Sequence, residues 1–470
     1  MIIPVILCGG IGSRLWPISH QARPKPFFYN GETLNFFQQT ILRFANNSNF
    51  TAPIIIGSSH NQAMICSNLA EINISPLAIL LEPLRRDTAA SIAVVACHVI
   101  ELQLGDLPLL ITPADHYVEQ TDDLIENIIA SQTLTAQGLL VSFVTTITSN
   151  EFGFGYVEQG AALSPGAYTI KNFIEKPDCL QAEQLRQSSL HFWNSGILMG
   201  KAECFLGELR LYEASIIGCC QRTLQHSTYQ NNFVYLDAGH YKLCNAKSIE
   251  RAIMEYTKIA AMVQVSMNWH DMGSLEAIYN NAPKDEQGNS LLGNVIALQS
   301  TGSYVSSEAQ ATAIIGLSDV IVINTIAGVV VAHADYAAQL ETGLQHAALN
   351  FAEIAVTVHK TYRPWGHYVD LAKNMTMRIK HIYVNPYCRL SLQYHNKRQE
   401  YWIVLVGTAT ITLGTESYDL KIGESVHIPM AATHRLHNQT EEMLEVIEVQ
   451  IGEDLSDDDI IRLEDDYNRV

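Results

Sequence analysis

The chain is short of charge and has no long apolar run. Only 16% of its 470 residues are Asp, Glu, Lys or Arg, while 47% are apolar. A chain with that balance buries cores, which excludes extended disorder. Cations are the scarcer sign, with 29 Lys and Arg against 48 Asp and Glu and a formal net charge of −19. That excludes a general nucleic-acid surface and an anionic-membrane surface, yet leaves the few local donors that one triphosphate needs. No segment approaches the roughly 18 apolar residues of a membrane span. The apolar opening Met1–Cys8 has no basic lead and runs into Gly9-Gly10, so it reads as a buried strand rather than a signal peptide. Nine cysteines are scattered and no Cys-x-x-Cys occurs. Reduced, mostly buried thiols in a cytoplasmic protein are the expectation. Also missing are the Rossmann G-x-G-x-x-G spacing and the phosphate loop ending in G-K-[ST].

What is present divides into three stretches, as expected for a length that exceeds one core. Residues 1–285 alternate short apolar runs (2–7, 53–56, 109–111, 139–144, 168–174) with helical patterns (33–44, 87–102, 246–258). This predicts an α/β domain with a Rossmann-like, mixed but mostly parallel sheet covered on both faces. Residues 286–345 change to short β pieces with Gly and Ser, at 294–298, 303–305, 313–317, 320–323 and 329–332. They read as a small solenoid-like β linker. Residues 346–470 are dominated by strands, at 377–384, 400–406, 408–413, 424–428 and 443–450, punctuated by Gly407 and Gly414. That spacing predicts an all-β barrel or sandwich. The acidic tail 453–466 reads as a helix.

The first chemical motif is Gly9-Gly10-Ile-Gly12-Ser13-Arg14, between a strand and Leu15-Trp16-Pro17. Glycines let backbone N–H groups approach phosphate oxygens, and an arginine forks onto them. On the glycines alone, a bare tight turn is as good a reading. Lys25, held between Pro24 and Pro26 eleven residues after Arg14, adds a fixed charge suited to a polyphosphate leaving group. Asp115 follows an apolar strand, where a carboxylate is well placed to hold Mg²⁺ bridging phosphates. In the last stretch, Gln393 and His395 share one face of a strand, Glu400 starts the next and His434 follows a turn. These four are positioned to converge on one divalent metal, the alternative being a metal-free barrel with polar surface residues.

The run from Gly9 through Trp16-Pro17 to Lys25 resembles the signature of nucleotidyltransferases that make sugar nucleotides, and its Trp-Pro form is most like bacterial GDP-mannose pyrophosphorylases. Six later segments match in order. Glu82-Pro-Leu-Arg-Arg86-Asp87-Thr88-Ala89-Ala90 resembles the base- and ribose-contacting run, with Asp87 where the family usually has Asn. Pro113-Ala-Asp115-His116 and Trp269-His-Asp271-Met-Gly273-Ser274 imply two Mg²⁺ carboxylates, Asp115 and Asp271. Gly153-Phe-Gly155-Tyr156, Glu175-Lys176-Pro177 and Trp193-Asn194-Ser195-Gly196 imply a sugar-phosphate site of Gly155, Glu175, Lys176 and Asn194. The nucleotide would be held by Gly9, Gly10, Gly12, Arg14, Glu82, Arg86, Thr88 and Ala89. The implied reaction is attack by mannose 1-phosphate on the α-phosphorus of GTP, with Arg14 and Lys25 on the leaving phosphates.

The C-terminal pattern resembles a cupin, and more closely the isomerase half of bifunctional mannose-6-phosphate isomerase/guanylyltransferases of type II. There Gln393, His395, Glu400 and His434 would hold Zn²⁺ or Co²⁺, and Arg435 would stabilise the intermediate. The family usually has histidines where this chain has Asn396, Lys397 and Tyr401. None is among the four ligands, but a Lys397 ammonium aimed at the metal would exclude it. Three readings follow: both activities; guanylyl transfer beside a structural cupin; or a non-catalytic regulatory homologue. No nucleic acid or membrane partner is expected, and a homodimer through the linker or cupin is left open.

Overall fold

The computed structural model describes residues 1–10, 15–20, 23–29, 33–149, 153–325, 328–340, 343 and 360–467. Gly12, Ser13 and Arg14 of the opening loop lie outside the described residues. The chain forms two compact units. One comprises Met1–Ile11, Pro24–Gln62 and Asn68–Asn281; the other comprises Gly12–Arg23, Ala63–Ser67 and Ala282–Val470.

The first unit is built on an eleven-stranded sheet. Its parallel half runs in space Phe233–Tyr235, Ala78–Glu82, Ile54–Ser58, Ile3–Cys8 and Pro108–Pro113. Ile3–Cys8 is the apolar run of the sequence opening, buried along nearly its whole length, as a strand covered on both faces requires. His191–Lys201 then enters antiparallel to both Pro108–Pro113 and Leu140–Thr146. Beyond it lie Ala260–Gln264, Ala167–Glu175 and Gly155–Ser164.

The helix Asp87–Glu101 buries eleven residues, from Ala89 to Val99, and packs in the main core. Its first residue takes φ 61°, a left-handed conformation that Asp and Asn tolerate better than other non-glycine residues. That explains how Asp87 can stand where the resemblance leads one to expect Asn. The helix read over 33–44 is Phe36–Ala45, started by a capping box between Asn35 and Gln38. The long helix read over 246–258 is instead a single π-helical turn, Glu250–Met254. Its leading backbone is engaged elsewhere, because the Lys247 carbonyl accepts from the Ala89 N–H (3.1 Å) and the Ile249 N–H donates to Thr88 Oγ1 (2.8 Å).

In the second unit, Ser290–Leu298, Tyr304–Ile315 and Val320–Thr325 stack in parallel around Val305, Ile314 and Val322, and Gly328–His333 closes the sheet antiparallel. The Leu15–His20 segment packs here. The Trp16 ring lies 2.9 Å from where a Cβ on Gly328 would sit, so only glycine fits. Arg23 Nη1 pairs with Glu308 (2.7 Å). The cupin is a six-stranded sheet facing a five-stranded one around Trp365, Ile382, Trp402, Val404, Leu436 and Val446.

The acidic tail is not a helix. Asp457–Asp459 form a short 3₁₀ turn, and Ile460–Glu464 is a strand paired antiparallel to Leu392–His395. Its carboxylates are used in contacts that a solvated helix would forgo. Asp457 pairs with Arg363 (2.9 Å), and Asp459 accepts from the Asn396 and Lys397 N–H groups (both 3.1 Å).

Candidate active sites

In the first unit a cavity of about 220 Å³ opens at the C-terminal ends of the parallel strands, lined by Gly9, Gly10, Glu82, Arg86, Thr88 and Asp115 among others. This is where ligands bind in open α/β sheets. A Cβ on Gly10 would meet nothing within 4 Å. Among the described residues packing therefore does not demand glycine there, and the open space fits the approach of a ligand to the backbone.

The Glu82–Ala90 run, expected to contact the nucleotide, is held by a segment that no sequence motif marks, Tyr241–Ile249. Tyr241 donates to Glu82, the Lys242 carbonyl accepts from Arg86 Nη2 (2.6 Å), and Lys247 and Ile249 bind the backbone of Ala89 and the hydroxyl of Thr88. No motif marks this strap, because three of its four contacts use its backbone.

At the cavity's edge, Asp115 follows Pro108–Pro113, and Asp271 ends Asn268–Asp271, which pairs with His116–Glu119 so that Asp271 lies opposite His116. Lys25 Nζ sits 2.6 Å from Asp271 Oδ1 and 3.1 Å from Asp115 Oδ2. Three residues far apart in sequence thus meet. Burial alone would lower the Lys25 ammonium pKa, but attraction to Asp115 and Asp271 outweighs it and holds the pKa above its ordinary value. Trp269 Nε1 donates to His116 Nδ1 (3.2 Å), leaving the His116 proton on Nε2, 4.0 Å from Asp115. Burial keeps this histidine's pKa low. Gly273 leaves room for the Asp271 carboxylate, which a Cβ would approach to 3.0 Å. Two carboxylates focused on one cationic point are a hard-oxygen set that fits Mg²⁺, which typically takes one or two carboxylates plus substrate phosphates.

The expected sugar residues fall into cross-strand register. Gly155 lies directly opposite Glu175 on one side and Asn194 on the other. Asn194 Oδ1 accepts from Ser142 Oγ (2.9 Å) and the Gly196 N–H (3.2 Å), so the amide's own N–H groups are what it offers a ligand. Burial raises the Glu175 pKa, opposed by Lys176 and Arg251. Lys176 Nζ lies 3.7 Å from Glu175, on a backbone at φ 51°, a strained conformation for a non-glycine residue ahead of proline. A Cβ on Gly155 would come within 2.9 Å of Glu175 Oε2. Gly155→Ala is therefore expected to turn that carboxylate and raise the KM for the sugar phosphate about tenfold, with the KM for the nucleotide unchanged. Steady-state kinetics with each substrate varied in turn checks this.

In the cupin, His395, Glu400 and His434 converge, their ligand atoms all within 4.8 Å of one another. His395 Nε2 is 3.0 Å from Glu400 Oε1, and His434 Nε2 is 3.7 Å from Glu400 Oε2. Each imidazole turns Nδ1 to a backbone carbonyl, Asp459 (3.3 Å) for His395 and Ala432 (2.9 Å) for His434. Both therefore present Nε2, the arrangement that metal-binding histidines use. His434 Nε2 is buried with no hydrogen-bond partner. An orphaned acceptor beside a carboxylate fits a bound cation. Burial would raise the Glu400 pKa, but His395, His434 and Arg398 outweigh it and hold the carboxyl well below the usual range.

Gln393 joins the group with its amide reversed. Nε2 faces His395 (3.4 Å), while Oε1 accepts from Ser391 Oγ (2.7 Å). Turning the amide over presents the oxygen. The three departures from the family pattern all point outward. Lys397 pairs with Asp454 (3.3 Å), Tyr401 stacks on His427 and Asn396 is exposed. Lys397 therefore does not block the cluster. Arg435 follows His434 on its strand and so faces the other way, onto Glu464 (3.1 Å). The cation beside the cluster is instead Arg398, whose Nε donates to Glu400 (3.3 Å) and whose Nη2 lies 3.5 Å from His395.

A cavity of about 220 Å³ at a switch point of an α/β sheet, followed by a stacked β unit and a cupin with a His-Glu-His cluster, defines a nucleotidyltransferase carrying an isomerase-type barrel. Comparisons with known proteins agree. The nucleotidyl transferase family matches residues 3–288, the MannoseP isomerase/GMP-like β-helix domain 293–341, and the mannose-6-phosphate isomerase C-terminal domain 352–465. The alginate biosynthesis protein AlgA of Pseudomonas aeruginosa is 35% identical over all of this chain and 98% of its own. The mannose-1-phosphate guanylyltransferase RfbM of Salmonella typhimurium is 33% identical over 98% of this chain and 96% of its own. A Thermus thermophilus crystal structure described as a mannose-1-phosphate geranyltransferase shares the fold, with TM-score 0.64 and 24% identity over 74% of this chain and 99% of its own. The chain belongs to the family of bacterial mannose-1-phosphate guanylyltransferases with a C-terminal mannose-6-phosphate isomerase domain. Among the described residues, no helix is long and apolar enough to cross a membrane.

Proposed function

We propose that this enzyme converts GTP and mannose 1-phosphate to GDP-mannose and diphosphate, and that its cupin interconverts fructose 6-phosphate and mannose 6-phosphate. The observation that carries the first activity is the meeting of Lys25, Asp115 and Asp271 at the edge of the nucleotide cavity. The division of labour is residues 1–285 for transfer, 286–345 as linker and 346–470 for isomerisation. A cytoplasmic setting follows from the use of GTP.

In the transfer, the sugar phosphate is already an anionic nucleophile, so no protein base is needed. Gly155, Glu175, Lys176 and Asn194 orient it, and Gly9, Gly10, Gly12 and Arg14 with Glu82, Arg86, Thr88 and Ala89 orient the triphosphate. Mg²⁺ held by Asp115 and Asp271 would neutralise charge between the attacking oxygen and the α-phosphate. Lys25 balances the same carboxylates and, with Arg14, would hold the leaving phosphates. Catalysis of this kind is positioning and electrostatics.

In the cupin, Zn²⁺ or Co²⁺ held by Gln393, His395, Glu400 and His434 would polarise the sugar's oxygens as an enediol forms. The orphaned His434 Nε2 supports this reading. A second reading, transfer beside a purely structural cupin, draws support from the Arg398 guanidinium, which already compensates Glu400. A paired assay separates the two. Diphosphate release is expected with GTP, mannose 1-phosphate and Mg²⁺, and fructose 6-phosphate is expected to isomerise after loading with Zn²⁺ or Co²⁺. Absence of the first overturns the main reading, and absence of the second in loaded enzyme leaves the cupin structural.

A further inference from the structure

Between the glycine turn and Lys25 the chain passes into the second compact unit at Gly12 and returns to the first at Pro24. The described part of this excursion is anchored on the β linker. Leu15, Trp16, Ile18 and Ser19 are buried. The Trp16 ring packs on Gly328, and Thr325 Oγ1 donates to the Pro17 carbonyl (3.4 Å). Arg23 closes the excursion. Its Nε and Nη2 both donate to the Ile18 carbonyl (3.0 and 2.6 Å). Its backbone exchanges two hydrogen bonds with His20 (2.9 and 3.0 Å). The remaining nitrogen, Nη1, donates to Glu308 Oε1 (2.7 Å). All three guanidinium nitrogens are thus committed to fixing this segment.

The linker is shaped to offer Glu308. In the pairing of Ser290–Leu298 with Tyr304–Ile315, Gly293 faces Ser307, and the next pair is Val295 with Thr312. One residue, Asn294, therefore stands against the four residues 308–311. Such a bulge re-aims side chains and is a built feature of a strand. Here a polar network holds it. Ser307 Oγ donates to the Gln310 carbonyl and Thr312 Oγ1 to Ser307 Oγ (2.9 Å). Asn324 Nδ2 donates to Thr312 Oγ1 (3.0 Å) and Ser307 Oγ (3.3 Å). The pair that results, Arg23 with Glu308, keeps side-chain exposures of 27% and 31%. A pair so open to water adds little to stability. What it supplies is geometry.

That geometry reaches Lys25, two residues beyond Arg23. Pro24, between them, has its φ fixed by its ring at −62° and restricts Arg23 to extended conformations, so the link carries little slack. On the other side Lys25 is held by the first unit. Its carbonyl accepts from the Phe28 N–H (3.0 Å), and Phe27 and Phe28 stack on Phe37 and Phe36. Between these two clamps the ammonium meets Asp271 (2.6 Å) and Asp115 (3.1 Å).

We infer that the β linker is a working part of the transferase, in which Glu308 and Arg23 are positioning residues that fix the Leu15–Arg23 segment and, through Pro24, the place of the Lys25 ammonium. The inference rests on the reading of the Lys25–Asp115–Asp271 corner as the site of transfer, and it gives residues 286–345 a task beyond spacing. Both residues act through Lys25, so their effect belongs in turnover.

The test uses the full chain and compares wild type with Glu308→Ala, Glu308→Gln, Arg23→Lys and the double variant Arg23→Lys/Glu308→Ala. It reads kcat and KM for GDP-mannose formation with each substrate varied, thermal melts, and hydrogen exchange of the Arg23 and Phe28 amides. Glu308→Ala is expected to lower kcat about tenfold, with the KM for mannose 1-phosphate unchanged. Its melting temperature is expected to fall by no more than about two degrees, and both amides to exchange faster. Glu308→Gln has the same length and keeps an oxygen that accepts from Arg23, so its kcat is expected within about threefold of wild type. Arg23→Lys keeps the charge but loses the fork onto Ile18, and is expected to lose as much as Glu308→Ala. The double variant should be no worse than Arg23→Lys alone, since the two residues act as one device. A merely structural role would lower kcat only as the melting temperature falls, and Glu308→Gln would not rescue it. Wild-type kcat in Glu308→Ala, or losses that multiply in the double variant, overturns the inference. Wild type that forms no GDP-mannose would overturn the functional reading instead. Hydrogen exchange would still decide this one, unchanged protection of Arg23 and Phe28 in Glu308→Ala counting against it.

Discussion

Asp115→Asn is expected to lower the rate of GDP-mannose formation by about 10³-fold, equivalent to about 4 kcal/mol of barrier, with the KM for GTP changed far less. The substitution keeps the side chain's size and removes one negative charge from the corner where Lys25 meets Asp115 and Asp271. Charge there matters most as the bond to the leaving diphosphate breaks, so the loss belongs in kcat. Lys25→Ala acts from the other side. It leaves two carboxylates facing one another, each with side-chain exposure near 30% (26% and 32%). Water screens them, so the fold is expected to survive with a melting temperature lowered by a few degrees while turnover is lost. Discontinuous assay of GDP-mannose at saturating Mg²⁺, paired with thermal melts, checks both variants. Near-normal turnover in either removes this corner from the reaction.

The parts of this candidate site that are legible in the sequence are those whose chemistry calls for a residue type at a fixed local spacing. Gly9-Gly10, Pro24-Lys25-Pro26 and Trp193-Asn194 are contiguous signals. The register that aligns Gly155 with Glu175 and Asn194 comes from three strands and is invisible in any one of them. The strap Tyr241–Ile249 was unreadable for a different reason. It works mainly through backbone groups, and the apolar periodicity after Ala246 looked helical because nothing local says that Lys247 and Ile249 are bonded to Thr88 and Ala89. Composition misleads at the acidic tail. A run of carboxylates resembles a solvated helix until Asp459 is seen holding the Asn396–Lys397 turn.

The cupin shows what strand alternation settles and what it leaves open. Alternation puts Gln393 and His395 inside on one strand and Glu400 inside on the next, with Tyr401 out, while the Asn396–Lys397 turn between the strands breaks the alternation and carries Lys397 outward, which answers the question that the substituted histidines raise. The same rule turns Arg435 away from His434 and onto Glu464. Sequence alone did not show that Arg398 would fold back along its strand onto Glu400, two residues on.

Glu400→Gln carries the second large effect. Glu400 is the hub of the cluster, within 3.0 Å of His395 Nε2 and 3.7 Å of His434 Nε2, and it also accepts from Gln450 Nε2 (2.9 Å) and Trp402 Nε1 (3.2 Å). Replacing it with a neutral amide of equal size removes the only formal negative charge among the four expected ligands. Two imidazoles and two amides bind a divalent ion far more weakly. Co²⁺ or Zn²⁺ affinity, read by calorimetric titration and by elemental analysis after dialysis, is expected to fall at least 100-fold. Isomerisation of fructose 6-phosphate is expected to disappear with it. Guanylyl transfer should be untouched, because the side chains that Glu400 contacts all belong to the cupin. His434→Ala is the companion variant, removing the orphaned Nε2 without adding an unpaired charge. A wild-type chain that binds neither ion, or a Glu400→Gln chain that binds as wild type does, would assign the His395–Glu400–His434 cluster to packing. Arg398 would then be the cation that balances Glu400 in the working enzyme.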